Sequence, residues 1–60
     1  MELYKIRVKT LENNIITFHS IPEYTTSNGF ISFTDQKTGR EKIFSTSMCE
    51  IEKEDKNARN

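Results

Sequence analysis

FISFTDQKTGREKIFS, residues 30–45, decides what kind of fold this chain makes. Phe30–Phe33 and Ile43-Phe44 are rich in β-branched and aromatic residues, and Gly39 lies between them where a hairpin turns. A phosphate-binding loop would need a glycine-rich run opening a helix and ending in Gly-Lys-Ser/Thr. Thr38-Gly39-Arg40 sits instead between two strand patterns. The stretch reads as a β-hairpin, and two loop lengths compete for it. A three-residue loop, 37–39, places Gly39 in the left-handed position and sets Phe33 opposite Ile43, Thr34 opposite Lys42 and Asp35 opposite Glu41. A four-residue loop sets Asp35 opposite Arg40, but leaves Phe33 facing Lys42 and Ser32 facing Ile43. An exposed charge pair contributes about 0–1 kcal/mol and burial of a large apolar side chain about 1.5–3 kcal/mol. On that comparison the three-residue loop is expected. Ile31, Phe33 and Ile43 then turn inward, while Phe30 and Phe44 project outward with Ser32, Thr34 and Lys42.

Outward from the hairpin, the chain continues as strands. Residues 3–10, LYKIRVKT, alternate Tyr4, Ile6 and Val8 with Lys5, Arg7 and Lys9, the signature of a half-buried strand. Glu12-Asn13-Asn14 supplies a turn, with Asn14 in the left-handed position, so that Val8 faces Phe18 and Thr10 faces Ile16. A strand over 15–21 ends at Pro22, which cannot donate to a ladder and requires a bend, a bulge or an edge. Tyr24–Ser27 resumes the extended pattern and meets Asn28-Gly29, a two-residue hairpin turn. A Ser/Thr segment leads to a brief final strand, Met48–Ile51. EKEDKNARN, residues 52–60, has one alanine as its only apolar residue and reads as solvated; the domain is drawn at 1–53 and the tail at 54–60.

These elements predict an all-β fold: a small antiparallel meander of four or five strands that closes as an SH3-like, partly open barrel. An open meander that completes its core by forming a homodimer is the competing arrangement. Sixty residues allow one domain, and a domain of this size buries only about 60% of its unfolded surface. One cysteine, Cys49, and one histidine, His19, exclude an internal disulfide and a zinc quartet. No cofactor site is expected. A lone thiol fits a reducing cytosol. An acidic start and the absence of a long apolar run speak against a signal peptide and a membrane span.

Nine basic and nine acidic residues give no net charge, and residues 1–51 hold six of each sign. Binding to phosphates scales with the cations presented, so nucleic acid is disfavoured as a partner. Lys5, Arg7 and Lys9 nevertheless form a basic row that carries the nucleic-acid alternative, unless acids from neighbouring strands neutralise it. His19, Cys49 and Asp35 are the only candidates for a nucleophilic constellation, and no spacing pattern supports one. An enzyme is not expected. The outward set Phe30, Thr34, Lys42 and Phe44 is the candidate protein-binding site, because exposed apolar patches mark contact sites. The alternative is that barrel curvature, the tail or the final strand covers the two phenylalanines.

The pattern G-F-I-S-F-T-D-x-x-T-G-R-E-x-I-F-S followed by C-E-I-E-K, residues 29–53, resembles short single-barrel accessory proteins of phages and mobile elements of low-GC Gram-positive bacteria. The resemblance implies a cytoplasmic protein that binds a host protein and blocks or modulates it, without catalysis.

Overall fold

The computed structural model describes residues 2–54. The chain is all-β, with strands β1 (Leu3–Lys9), β2 (Ile15–Ile21), β3 (Tyr24–Ser27), β4 (Phe30–Thr34), β5 (Glu41–Ser45) and β6 (Cys49–Glu54), and a 3-10 turn, Thr46–Met48, before β6. Two three-stranded antiparallel sheets result, ordered β2-β1-β6 and β3-β4-β5. The bent β2–β3 segment carries the chain from one sheet to the other at Pro22, and β6 returns beside β1 after the 3-10 turn. This is the strand order of an SH3-like, partly open barrel, without closure into a continuous one. The return of β6 to β1 departs from the sequential meander, and the strand count rises to six because the bend divides one long strand into β2 and β3.

The bend has two causes. Pro22 ends the ladder, as expected. Just before it, the β1–β2 register shifts between Ile6↔Phe18 and Tyr4↔Ile21, and Ser20 takes a positive φ of 59°. This bulge inserts one residue into β2 and reverses the facing of the strand beyond it. Ile21 is thereby delivered to the interior, where it is fully buried.

All three turns lie close to where the sequence places them, but two registers differ. Asn28 and Gly29, at φ 53° and 81°, form the expected two-residue turn with both central residues left-handed. The first loop is three residues long but is shifted to 11–13: Asn13, at φ 69°, holds the left-handed position rather than Asn14, and Thr10 and Asn14 close the loop. Val8 therefore faces Ile16, and Phe18 faces Ile6 instead of Val8. The shift leaves Leu11 almost wholly exposed, but brings Phe18 against Phe33 and Phe44, with ring centroids 5.0 and 5.9 Å away.

In the third hairpin the four-residue loop, 36–39, is the one formed. Phe33 faces Lys42, Ser32 faces Ile43 and Ile31 faces Phe44. Asp35 organises the turn. Its backbone N–H donates to Arg40 O (2.8 Å), its carbonyl accepts from Gly39 N–H (2.7 Å), and its carboxylate accepts from Lys37 N–H and the Thr38 hydroxyl. The one-residue change in loop length turns Phe44 inward in place of Ile43. An aromatic ring replaces an aliphatic side chain against Phe18 and Phe33, so the competition lies between two buried side chains rather than between burial and a charge pair.

The core consists of Ile6, Val8, Ile21, Ile31 and Phe33, with Tyr4, Phe18, Tyr24, Phe44 and Cys49 packed around it. Tyr4 and Tyr24 meet edge-on at 5.1 Å and connect the two sheets, as Phe18 does through Phe33. Gly39 keeps the left-handed conformation expected of it, at φ 74°, and a Cβ there would touch nothing within 4 Å. The cost of a side chain at this position is conformational alone. Gly39→Val is expected to destabilise by about 1–2 kcal/mol in chemical denaturation, because a β-branched residue resists positive φ. An unchanged midpoint would show that the loop relaxes to another turn.

Candidate functional site

The outer face of the β3-β4-β5 sheet is the first candidate. Phe30 and Ile43 occupy diagonal positions there, since Phe30 faces Ser45 and Ser32 faces Ile43. They are 56% and 62% exposed. Thr25, Ser27, Ser32, Thr34 and Ser45 share this side and are small hydroxyl residues, with Glu41 the charged member. Two large apolar groups thus stand above a low polar surface.

The expected set Phe30, Thr34, Lys42 and Phe44 is divided by the register. Phe30 and Thr34 are exposed on the outer face. Phe44 is half-buried against the core, and Lys42 lies on the inner side opposite Phe33. Ile43 takes the outer place expected of Phe44, because a single residue of loop length exchanges the two.

The second candidate is the basic row on β1. This strand lies between β2 and β6, and β6 sets acids directly beside the cations, with Lys5 facing Glu52 and Arg7 facing Glu50. Arg7 donates to Glu50 and to Glu52, each at 3.1 Å, and Lys5 lies 3.3 Å from Glu52. The hydrogen bond with Lys5 and then the Arg7 charge hold the Glu52 carboxyl below the usual carboxylate range. That contribution to stability is present above the ordinary carboxylate pKa and is lost as pH falls through the lowered one. Lys9 differs from its neighbours. It pairs across the ladder with Ile15 and has no acidic partner among the described residues.

The nucleophilic candidates are not brought together. Cys49 faces inward beside Val8, donates to Ser45 O at 3.3 Å, and has its thiol pKa raised by burial. His19 lies on the opposite side of the same sheet, with Nδ1 2.7 Å from Glu54 Oε2. Asp35 borders a shallow cleft of about 240 Å³ with His19, but its carboxylate is engaged in its own turn. Among the described residues no three His, Cys, Asp or Glu side chains are grouped to hold a metal, and no helix is long and apolar enough to cross a membrane.

No family model, curated protein or solved structure matches this chain.

A third feature has no counterpart in the sequence reading. Arg7, Lys9 and Ile15 from the β1–β2 hairpin and Ser47, Met48, Cys49 and Glu50 from the 3-10 turn and β6 enclose a cleft of about 300 Å³. Ile15 is 65% exposed at its edge. The first-loop register creates this arrangement by placing Ile15 beside Lys9 on the outer side of the sheet.

Proposed function

We propose that this chain is a non-enzymatic protein-binding module, a cytoplasmic accessory protein of a phage or mobile element that modulates a host protein by contact. The observation that carries the reading is the exposure of Phe30 and Ile43 together on one sheet face. Exposed aromatic and aliphatic anchors bind by entering desolvated pockets on a partner, and a few such residues dominate interface energetics. The acids on β6 compensate Lys5 and Arg7, which weakens the alternative of a nucleic-acid-binding barrel by removing two of its three cations.

The test is the double variant Phe30→Ser/Ile43→Ser. Both side chains are exposed, so the fold is expected to survive with a stability change below about 1 kcal/mol. Capture of a host protein from a Gram-positive lysate, together with inhibition of that protein, is expected to be lost. Retained capture by the folded variant would remove this face from the interface. A variant that changes only the protein's own oligomeric state would reassign the face to self-association. Salt-sensitive retention of DNA or RNA instead of protein would favour the nucleic-acid reading.

A further inference from the structure

The cleft between the β1–β2 hairpin and the 3-10 turn is lined by two cations and one acid. Arg7 and Lys9 face it with Glu50, and Arg7 is already bound to Glu50 and Glu52. Lys9 is exposed and has no acidic partner among the described residues, while Lys5 and Arg7 both do. The remaining lining is apolar or small: Ile15, Met48, Cys49 and Ser47. At about 300 Å³ the cleft lies at the lower end of the roughly 300–1,000 Å³ typical of ligand pockets. It has the volume for one or two side chains, and it is open to solvent along the exposed Ile15.

We infer that this cleft receives a short acidic segment of a partner protein, with a bulky aliphatic side chain resting between Ile15 and Met48 and a neighbouring carboxylate bound by Lys9. Charge complementarity selects the occupant. Arg7 is already met by Glu50 and Glu52, so Lys9 is the cation of the lining without an acid among the described residues, and a basic or neutral segment leaves it uncompensated. Aliphatic contact with Ile15 and Met48 supplies the apolar part of binding, and a carboxylate alone would use only the cation. The inference rests on the protein-binding reading, but uses a surface distinct from Phe30 and Ile43.

The probe is the capped tripeptide acetyl-Leu-Asp-Glu-amide, titrated to millimolar concentration into ¹⁵N-labelled protein. Amide shifts are expected at Lys9, Ile15 and Met48, with little change at Phe30 and Ile43. Lys9→Gln is expected to weaken binding by about two- to fivefold, as befits one exposed charge pair. Ile15→Ser is expected to weaken it by about threefold or more through lost apolar contact. Both positions are exposed, and the spectrum of each variant reports directly whether it is folded. The Phe30→Ser/Ile43→Ser variant is expected to bind the tripeptide unchanged, so loss of host-protein capture in that variant and loss of peptide binding are separate results. Absence of shifts at the cleft would overturn the inference. So would equal binding of acetyl-Leu-Asn-Gln-amide, which shows that the charge is unused, or equal binding of acetyl-Gly-Asp-Glu-amide, which shows that the apolar wall is unused. Octanoate binding as tightly as the peptide would assign the cleft to a small amphiphile instead.

Discussion

Ile6→Ala is expected to remove most of the folded population at physiological temperature. Ile6 is fully buried in β1, the central strand of its sheet, and faces Phe18 on one side and Ile51 on the other. Truncating a buried isoleucine costs about 2–5 kcal/mol, through lost transfer energy and the cavity left behind. A chain of this length holds about 3–9 kcal/mol in total, at roughly 0.05–0.15 kcal/mol per residue. The loss is therefore comparable with the whole stability. Ile6→Val, which deletes one methylene, is expected to cost about 0.5–1.5 kcal/mol and remain folded. Ile43→Ala, at an exposed strand position, is expected to cost under about 1 kcal/mol. Thermal unfolding followed by circular dichroism ranks the three variants. A small effect of Ile6→Ala combined with a large one of Ile43→Ala would mean that β5 lies in the other register, with Ile43 inside.

That contrast also marks what the sequence could convey. Strand alternation in LYKIRVK, the Asn28-Gly29 turn, the break at Pro22 and the left-handed glycine at 39 are local signals, and each operates in the structure as its chemistry requires. The registers are not local. Phe44 turns inward because Phe18, from a different sheet, completes an aromatic cluster with it and Phe33. No comparison confined to the 30–45 hairpin includes Phe18. The extent of the last strand was hidden differently. Glu52, Lys53 and Glu54 read as solvated by composition, yet they belong to β6, so the boundary at residue 53 falls one residue inside the strand. The remainder of the expected tail, 55–60, lies outside the described residues. A signal for the strand was present in the alternation Glu50, Glu52, Glu54, which matches the alternation of Lys5 and Arg7 on β1.

The same side chains bear on how a partner can approach. An open sheet edge invites strand addition, which natural proteins oppose with charges, bulges, proline or short strands. The edge strand β6 carries three glutamates and Lys53, while β5 turns Lys42 inward. β2 contains the Ser20 bulge and is followed by Pro22, and β3 is four residues long. Every edge has one of these features. A homodimer formed by continuing a sheet is correspondingly disfavoured. Among the exposed apolar groups, Phe30 and Ile43 on one sheet and Ile15 on the other present themselves face-on, which suits pocket insertion better than ladder extension.

Glu54→Ala is expected to destabilise the fold by about 1.5–3 kcal/mol, the range for hydrogen bonds to a charged group. The Glu54 side chain is only 18% exposed. Its Oε1 accepts from the backbone N–H of Ser20 at 2.8 Å, and its Oε2 lies 2.7 Å from His19 Nδ1. Because β1 lies between β6 and β2, this carboxylate reaches past the central strand and fastens the end of β6 to the bulge. The bulge in turn sets the facing of Ile21, so the contact supports a core residue that Glu54 does not itself pack against. Glu54→Gln keeps an acceptor for Ser20 but loses the charge, and is expected to cost about half as much. His19→Ala is expected to have the smallest effect of the three, since the imidazole is 58% exposed and solvent screens its interaction. Hydrogen exchange locates the effect: in Glu54→Ala, faster exchange should concentrate at Ser20 and Ile21, ahead of Ile31 and Phe33. Uniform acceleration would show that Glu54 contributes to the sheet as a whole. An unchanged midpoint would show that the bulge is held by β1 and Pro22 without the carboxylate, which would make residue 53 the functional end of the domain after all.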